Sequence, residues 1–443
     1  MRYVFWICLA ILPVWLEAQR ILEAYIAEGL ERNLTLRQHD MELDKSREAL
    51  AQAKAMFYPN VHFDASYIRA FGGRRLDFPV GDLLNPVYGT LNQITQSNNF
   101  PTITNERIQF LPDNFHETKV TFGAPVFNSD LRHNTRIREH LIGSAAARKA
   151  AYERELRFRI TEAYLQYLNT VEAGRIWAST RETLLELRRF NESLVRNGVG
   201  TPDLISAADF ELSKVERESA TLRSAQLTAA AYFNFLLNRD LQAPIEADTA
   251  LLNPLPNPIP PSRAPVPRPE LQALTQSINA AAEAQRLQTD RRRLPQAYIG
   301  GEAGFQGFGY TFEGEQAYIL AKVGLTYPLY NAGLIRSREQ EARLETIRLQ
   351  TQYEETRCAF DLQTFQAARN LEAAQAEYAA AEKGLEAARR TFELINNKYR
   401  NGQALFVELS DARNRYVGAQ IQVSLSRLHI AQCQAAWIYA SGE

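Results

Sequence analysis

Residues 120–128 read VTFGAPVFN and residues 323–331 read VGLTYPLYN, so one strand-like ending occurs twice in the chain. A long segment of helical composition follows each copy and ends at the tripeptide RNG, at residues 196–198 and 400–402. A second helical run follows each glycine. Because a repeat in a sequence indicates a repeated supersecondary unit, the pattern predicts two copies of a strand–strand–helix–turn–helix plan.

The two repeats have clear boundaries. Their connection is rich in proline, which indicates an extended linker and not a folded element. The first repeat is assigned to residues 19–250, the linker to 251–267 and the second repeat to 268–443.

Composition excludes two broad classes of protein. The chain has 443 residues, 45% of them hydrophobic, with a mean hydropathy of −0.33, which is too polar for a bundle of membrane-spanning helices. The net charge is −1, which gives no electrostatic case for binding nucleic acid.

The N-terminus has the features of a secretory signal peptide. Arg2 precedes an apolar run from Val4 to Leu16, and Ala18 supplies a small residue at a cleavage position. The run is too short to span a bilayer as a helix. Residues 1–18 are therefore predicted to be a signal peptide, and the alternative is a buried N-terminal helix.

Four segments alternate between apolar and polar residues, as half-buried strands do. In the first, Val61 and Phe63 point to one side and His62 and Asp64 to the other. Residues 69–117, rich in Asn, Pro, Thr and Gly, are predicted to be mainly loop. The predicted strands occupy residues 60–71, 118–127, 296–305 and 317–330.

Long helices make the fold class α+β but predominantly α. A helix from residue 19 to Phe57 opens the first repeat, and one ending at Arg293 opens the second. The long helices are predicted at 129–196, 202–238, 333–399 and 405–439. In the second repeat, apolar residues recur with the alternating spacing of three and four that is typical of coiled coils. The principal seam residues are Leu371, Tyr378, Leu385, Phe392 and Tyr399 before the turn, and Leu409, Tyr416, Val423, Ile430 and Trp437 after it.

The strands have the length and alternation of membrane-spanning β-strands. Four strands are too few to close a barrel, and an open sheet in a bilayer would expose unpaired backbone groups that each cost several kcal/mol. A membrane location therefore requires several chains to share their strands. The alternative is two ordinary hairpins packed on a helical body.

The chain resembles the TolC-like outer membrane efflux proteins over nearly all of its mature length. The resemblance depends on the order and spacing of four motifs: RPEL at 268–271, Tyr58-Pro59 and Leu294-Pro295 before strands, YPLYNAG at 327–333 and YRNGQ at 399–403. It implies a homotrimer with a twelve-stranded outer membrane barrel, continued by a periplasmic tunnel of antiparallel coiled helices. It also implies a periplasmic adaptor and an inner-membrane transporter as partners, with no enzymatic activity and no cofactor.

In that family, acidic residues after the second turn line the periplasmic entrance. Glu408 and Asp411 occupy the matching positions, and Asp203 follows the first turn. Rings of carboxylates attract cations, although acids are also favoured in the first turn of any helix. Ala404 stands where some relatives carry a tethering Arg, which leaves their entrance salt bridges in doubt here.

The two turns are expected to be the tips that bind the adaptor. Ordinary turn chemistry also explains their glycines, because Gly adopts positive φ without strain. The tip residues are Gly198, Val199, Gly402, Leu405 and Phe406.

Two other classes of function remain as alternatives. The main one is a non-conducting secreted coiled-coil protein, structural or adhesin-like. An enzyme is the other, but His133 and His140 lack the spacing of a helical zinc site, and no metal site is predicted. Cys358 and Cys433 are expected to be free thiols, because they lie at different distances from the turn at Gly402 and are therefore too far apart for a disulfide.

Overall fold

The computed structural model describes residues 20–252 and 268–442. The predicted signal peptide lies outside the described residues, as does most of the predicted linker. None of the described helices has the length and apolar content that a membrane crossing requires.

The described chain forms two compact units. One is helical and contains the described residues up to Arg47, together with Glu139–Ala280 and Glu345 to the C-terminus. The other contains Glu48–Arg138 and Ala281–Leu344 and carries the sheet. Each sequence repeat contributes to both units, so the repeats and the compact units divide the chain differently.

The first repeat begins with two helices, where one had been expected from residue 19 to Phe57. Helix α1 covers residues 20–32 and α2 covers Leu34–Ala55. Asn33 separates them, and its side-chain oxygen accepts a hydrogen bond from the Leu36 N–H at 3.0 Å. Asparagine is a preferred helix N-cap for this reason.

Four strands form one antiparallel sheet in the order β1-β4-β5-β6. Their bounds are β1 Asn60–Ile68, β4 Phe115–Phe127, β5 Gln296–Phe308 and β6 Ala317–Thr326. The predicted strand 317–330 ends early because Pro328 has no backbone N–H to continue the ladder. The predicted strand 60–71 also ends early, at Ile68.

The segment 69–117 is not mainly loop, and that expectation is corrected. It contains the hairpin of β2 (Arg75–Phe78) and β3 (Glu106–Gln109), with α3 (Val80–Thr95) between them. Two of its asparagine side chains hydrogen-bond to backbone groups elsewhere in the segment, as a neighbouring strand would. Asn85 exchanges two hydrogen bonds with the backbone of Ile103, at 2.9 and 2.8 Å, and Asn92 does the same with Phe100.

The long helices form antiparallel hairpins within each repeat. The elements are α4 (Ser129–Arg196), α5 (Asp203–Leu236), α6 (Pro269–Arg293), α7 (Leu334–Arg400) and α8 (Phe406–Ser441). Three residues of the predicted seam, Leu371, Ile430 and Trp437, form one buried cluster with Ala374 and Cys433 between α7 and α8. Further along, the rings of Phe392 and Tyr416 stack with centroids 5.4 Å apart.

Helices α1, α4 and α5 enclose the largest core. Tyr164 and Phe233 are fully buried there, with Leu156 and Ile160 beside them. The Tyr164 hydroxyl donates to the carbonyl of Glu246 at 2.8 Å, which satisfies the one polar atom of that ring. Cys433 is buried and free, and Cys358 is exposed and free.

Candidate functional site

The sheet has one apolar face and one charged face. The register places Phe63 beside Val120 and Val120 beside Ala303, which in turn lies beside Ile319. The apolar sides predicted for the separate strands therefore lie on one face of the sheet. That face is uncovered, and Val323 is 84% exposed. Other exposed apolar side chains on it are Val61, Phe63, Phe122, Ile319 and Leu325.

The outer strands of the sheet leave both edges unpaired. Within the described residues, β1 pairs with β4 alone and β6 pairs with β5 alone. The outward backbone groups of these nine- and ten-residue strands therefore have no ladder partner among the described residues. A long edge next to an exposed apolar face is a template for pairing with another chain.

The opposite face carries charged side chains. Asp64 lies beside Lys119, and Glu302 lies beside Thr121. The Lys119 ammonium contacts the Glu117 carboxylate at 2.8 Å and the Glu302 carboxylate at 3.2 Å. Alternation in the sequence predicts that Asp64 lies on the polar side of its strand. It does not predict which charged residues of neighbouring strands are adjacent, because that depends on the strand register.

The two predicted helix tips are tight turns with glycine in the left-handed region. Gly198 has φ +70° and Gly402 has φ +72°. In the second turn, the Gln403 N–H donates to the Lys398 carbonyl at 2.8 Å, a bond typical of glycine-terminated helices. Any other residue at Gly198 or Gly402 would be strained.

Apolar side chains project from both tips. Val199 is 77% exposed and Leu405 is 70% exposed, whereas Phe406 is half-buried against the Tyr399 ring, with centroids 6.2 Å apart. Val407, which the sequence analysis did not single out, is 73% exposed. The tips therefore combine a rigid turn with uncovered apolar surface.

The three predicted entrance acids have different surroundings. Glu408 accepts a hydrogen bond from the Leu405 N–H at 3.0 Å, as an acid in a first helical turn does. Asp411 is exposed and pairs with Arg415 at 3.0 Å. Asp203 is exposed at the first residue of α5. Glu408 therefore serves its own helix, and only Asp203 lacks a described hydrogen bond or ion pair within the described chain.

Buried polar contacts near the tips were not predicted from the sequence. The Tyr399 hydroxyl donates to the Asn191 side-chain oxygen at 2.8 Å, and the Asn191 amide donates to the Leu204 carbonyl at 3.0 Å. Burial raises the pKa of Tyr399, the hydrogen bond to Asn191 lowers it, and the charge of Asp203 raises it further. Tyr399 had been recognised only as a seam residue.

A buried ion pair joins α5 and α8. An Arg413 guanidinium nitrogen lies 2.6 Å from a Glu211 carboxylate oxygen, and the two side chains are only 4% and 10% exposed. Burial alone lowers the pKa of Arg413 and would raise that of Glu211, but the charges of Lys214 and Arg413 leave the Glu211 pKa below its ordinary value.

Comparison with known proteins identifies the architecture. The outer membrane efflux protein family matches residues 261–443, which include the whole second repeat and the end of the linker. No protein with a curated function matches the sequence significantly.

Solved structures match along almost the entire chain. The outer membrane protein VceC from Vibrio cholerae is 16% identical, with a TM-score of 0.73, and the match covers 96% of this chain and 97% of that one. The CmeC outer membrane channel of Campylobacter jejuni is 13% identical, with a TM-score of 0.73 and coverage of 95% and 85%. The MtrE outer membrane channel of Neisseria gonorrhoeae is 17% identical, with a TM-score of 0.71 and coverage of 95% and 89%. This chain therefore has the fold of these outer membrane channels, and residues 261–443 match the outer membrane efflux protein family.

Proposed function

We propose that the chain is the outer membrane exit duct of a tripartite efflux or type I secretion system, conducting substrates passively from the periplasm to the outside. The observation that carries this proposal is the sheet with one exposed apolar face, one charged face and two unpaired edges. Lipid acyl chains would cover the apolar face, and water would fill the space on the charged side.

The duct requires three copies of the chain, which would close a twelve-stranded barrel. Exposed apolar side chains on the long helices support contact between copies in the periplasmic part as well. Phe210 and Leu227 on α5 are 61% and 65% exposed, and Phe365 on α7 is 64% exposed. Phe365 has the exposed Leu362 one turn before it, and such an apolar patch on a helix is typical of a surface that contacts a partner.

Single-channel recording tests the conduit. Purified protein added to a planar lipid bilayer should produce discrete, reproducible conductance steps, because a closed barrel holds a continuous column of water. A secreted coiled-coil protein, the competing interpretation, would stay soluble without detergent and leave the bilayer current unchanged. That result would contradict the proposed function.

A periplasmic adaptor is proposed to bind the helix tips, and an inner-membrane transporter to supply the energy. Cysteine at Val199 or Leu405, which are exposed at the two turns, should form cross-links to the adaptor in cells. Cysteine at the buried position Ala374 is the matched control and should give no adduct. Tip cysteines that never cross-link to an adaptor, while the channel still exports its substrate, would contradict this assignment.

Three acids, Glu408, Asp411 and Asp203, are proposed to line the periplasmic entrance. Asp411 and Asp203 are exposed, which supports the role, whereas the carboxylate of Glu408 also caps α8. Three copies would form rings of negative charge that favour cations.

A further inference from the structure

The charged face of the sheet carries a group of five acidic and lysine side chains, which we name the strand belt. Its members are Asp64 on β1, Glu117 and Lys119 on β4, Glu302 on β5 and Lys322 on β6. The cross-strand register places all of them on the same face. The strand belt is separate from the entrance acids, which lie in the helical unit.

Hydrogen bonds hold the centre of the strand belt in place. Lys119 lies between the carboxylates of Glu117 and Glu302, and the Tyr318 hydroxyl donates to Glu117 at 3.3 Å. At its margin, the Thr121 hydroxyl donates to Asp64 at 3.4 Å. Four members of the strand belt, Asp64, Glu117, Lys119 and Glu302, are therefore held by hydrogen bonds or ion pairs.

A glycine creates the room that this arrangement needs. Gly304 lies directly between Lys119 on one neighbouring strand and Tyr318 on the other. A Cβ atom at this position would lie 2.2 Å from the Thr118 carbonyl oxygen and 2.7 Å from the Lys119 Cβ. Because no side chain stands there, the Tyr318 ring can reach across β5 to Glu117.

The strand belt has an excess of negative charge and faces open space. Three carboxylates and two ammonium groups give the strand belt of each chain a formal charge of −1. A cleft of about 1050 Å³ opens on the sheet, and its walls include Glu302, Lys322 and the ring of Tyr298. The Lys322 ammonium lies 5.7 Å from the centroid of that ring, whereas the ion pairs of the strand belt are made by Lys119.

We propose that the strand belt is a charge-selective section of the barrel lumen, which favours cations over anions independently of the periplasmic entrance. This inference rests on the proposed function, because three copies must place the belt around one lumen. A ring of fixed carboxylates attracts cations and repels anions. The permeants it favours are inorganic cations and organic amines.

The effect must depend strongly on salt. The Debye length is about 10 Å at 0.1 M ionic strength and about 3 Å at 1 M. Charges on the wall of a wide barrel therefore act on permeating ions in dilute salt and are screened in concentrated salt. Selectivity from the belt should vanish at about 1 M salt.

Reversal potentials in a KCl gradient across a planar bilayer test the proposal. Glu302→Gln makes the strand belt neutral, so the permeability ratio of K⁺ to Cl⁻ should fall about twofold in dilute salt. Lys119→Gln makes it −2 per chain, so the ratio should rise about twofold. The double variant Lys119→Glu with Glu302→Lys preserves the net charge and is the matched control, expected to behave as the unmodified protein does.

Opposite changes of the permeability ratio in the two single variants support the inference. If the belt only stabilised the sheet, the ratio would not fall in one variant and rise in the other. Equal permeability ratios in all variants, with ordinary conductance steps, would overturn it and leave the conduit itself intact. Absence of conductance in the unmodified protein would instead reject the proposed function, and with it the inference.

Discussion

Glu211→Ala is expected to lower the free energy of unfolding by about 3–5 kcal/mol, because it leaves a buried arginine without its counter-ion. Arg413 is 3% exposed, and its ionic partner is Glu211, at 2.6 Å. Two of its other nitrogens, Nε and Nη1, have no hydrogen-bond partner within the described chain. Chemical denaturation of the detergent-solubilised protein, followed by far-ultraviolet circular dichroism, measures the change.

Arg413→Ala, which removes the other member of the pair, should lower the free energy of unfolding by less. In Arg413→Ala, Glu211 keeps its contact with Lys214 at 2.9 Å, and Lys214 is 43% exposed and free to adjust. The double variant Glu211→Leu with Arg413→Met should be close to neutral, since a well-packed apolar pair can replace a buried ion pair. Equal stability of Glu211→Ala and the unmodified protein would show that the pair is not buried as described.

His133→Leu is the second change with a large expected effect, about 3 kcal/mol, because it removes two contacts to carboxylates, and a hydrogen bond to a charged group contributes about 1.5–3 kcal/mol. Glu283 keeps its ion pair with Arg286 in this variant. The two ring nitrogens of His133 lie 2.9 Å from Glu283 and 2.9 Å from Asp290. The side chains of His133 and Glu283 are 9% and 7% exposed, so water replaces little of the lost interaction. The contact joins α4 to α6.

Acidification should weaken the same contact. Burial would raise the pKa of Glu283, but hydrogen bonds from His133 and Arg286 outweigh it and hold the pKa below its ordinary value of 4.5. A carboxyl whose pKa is lowered by folding contributes stability above its unfolded pKa and loses it as pH falls through the folded pKa. Unfolding measured at neutral pH and below pH 4.5 should show the difference between unmodified protein and Glu283→Gln shrinking in acid.

His140→Leu is the matched control for the histidine, one heptad further along α4. His140 has one described contact, at 2.9 Å, and its partner is the uncharged amide of Gln276. Its replacement should cost about 1 kcal/mol, the value of an ordinary hydrogen bond. If the two leucine variants are equally stable, the bridge from His133 to two carboxylates contributes no more than a single hydrogen bond, and this account of the contact is wrong.

Sequence periodicity was sufficient to predict the helical hairpins and their seam. Trp437, Ile430 and Leu371 recur at heptad spacing, and the structure packs them together. The same spacing of seven also occurs among the polar residues that connect α4 and α6. Gln276, Glu283 and Asp290 are seven apart, as are His133 and His140, and the first set meets the second on neighbouring helices.

The strand belt and the buried pair of Arg413 and Glu211 required the three-dimensional structure. Alternation assigns Lys119 or Glu302 to a side of its own strand, but only the register shows that they are adjacent. Nothing local marks Glu211 as the partner of Arg413, because about two hundred residues separate them. The segment 69–117 was misjudged because asparagine signals loops by composition, whereas Asn85 and Asn92 bond distant backbone groups.

The central claim is that one chain contributes an incomplete sheet, which other copies must close. Native mass spectrometry of detergent-extracted protein counts the copies directly. The account predicts a particle of three chains, each about 50.3 kDa before loss of any signal peptide. A particle that contains a single chain, in a detergent that preserves the fold, would contradict it.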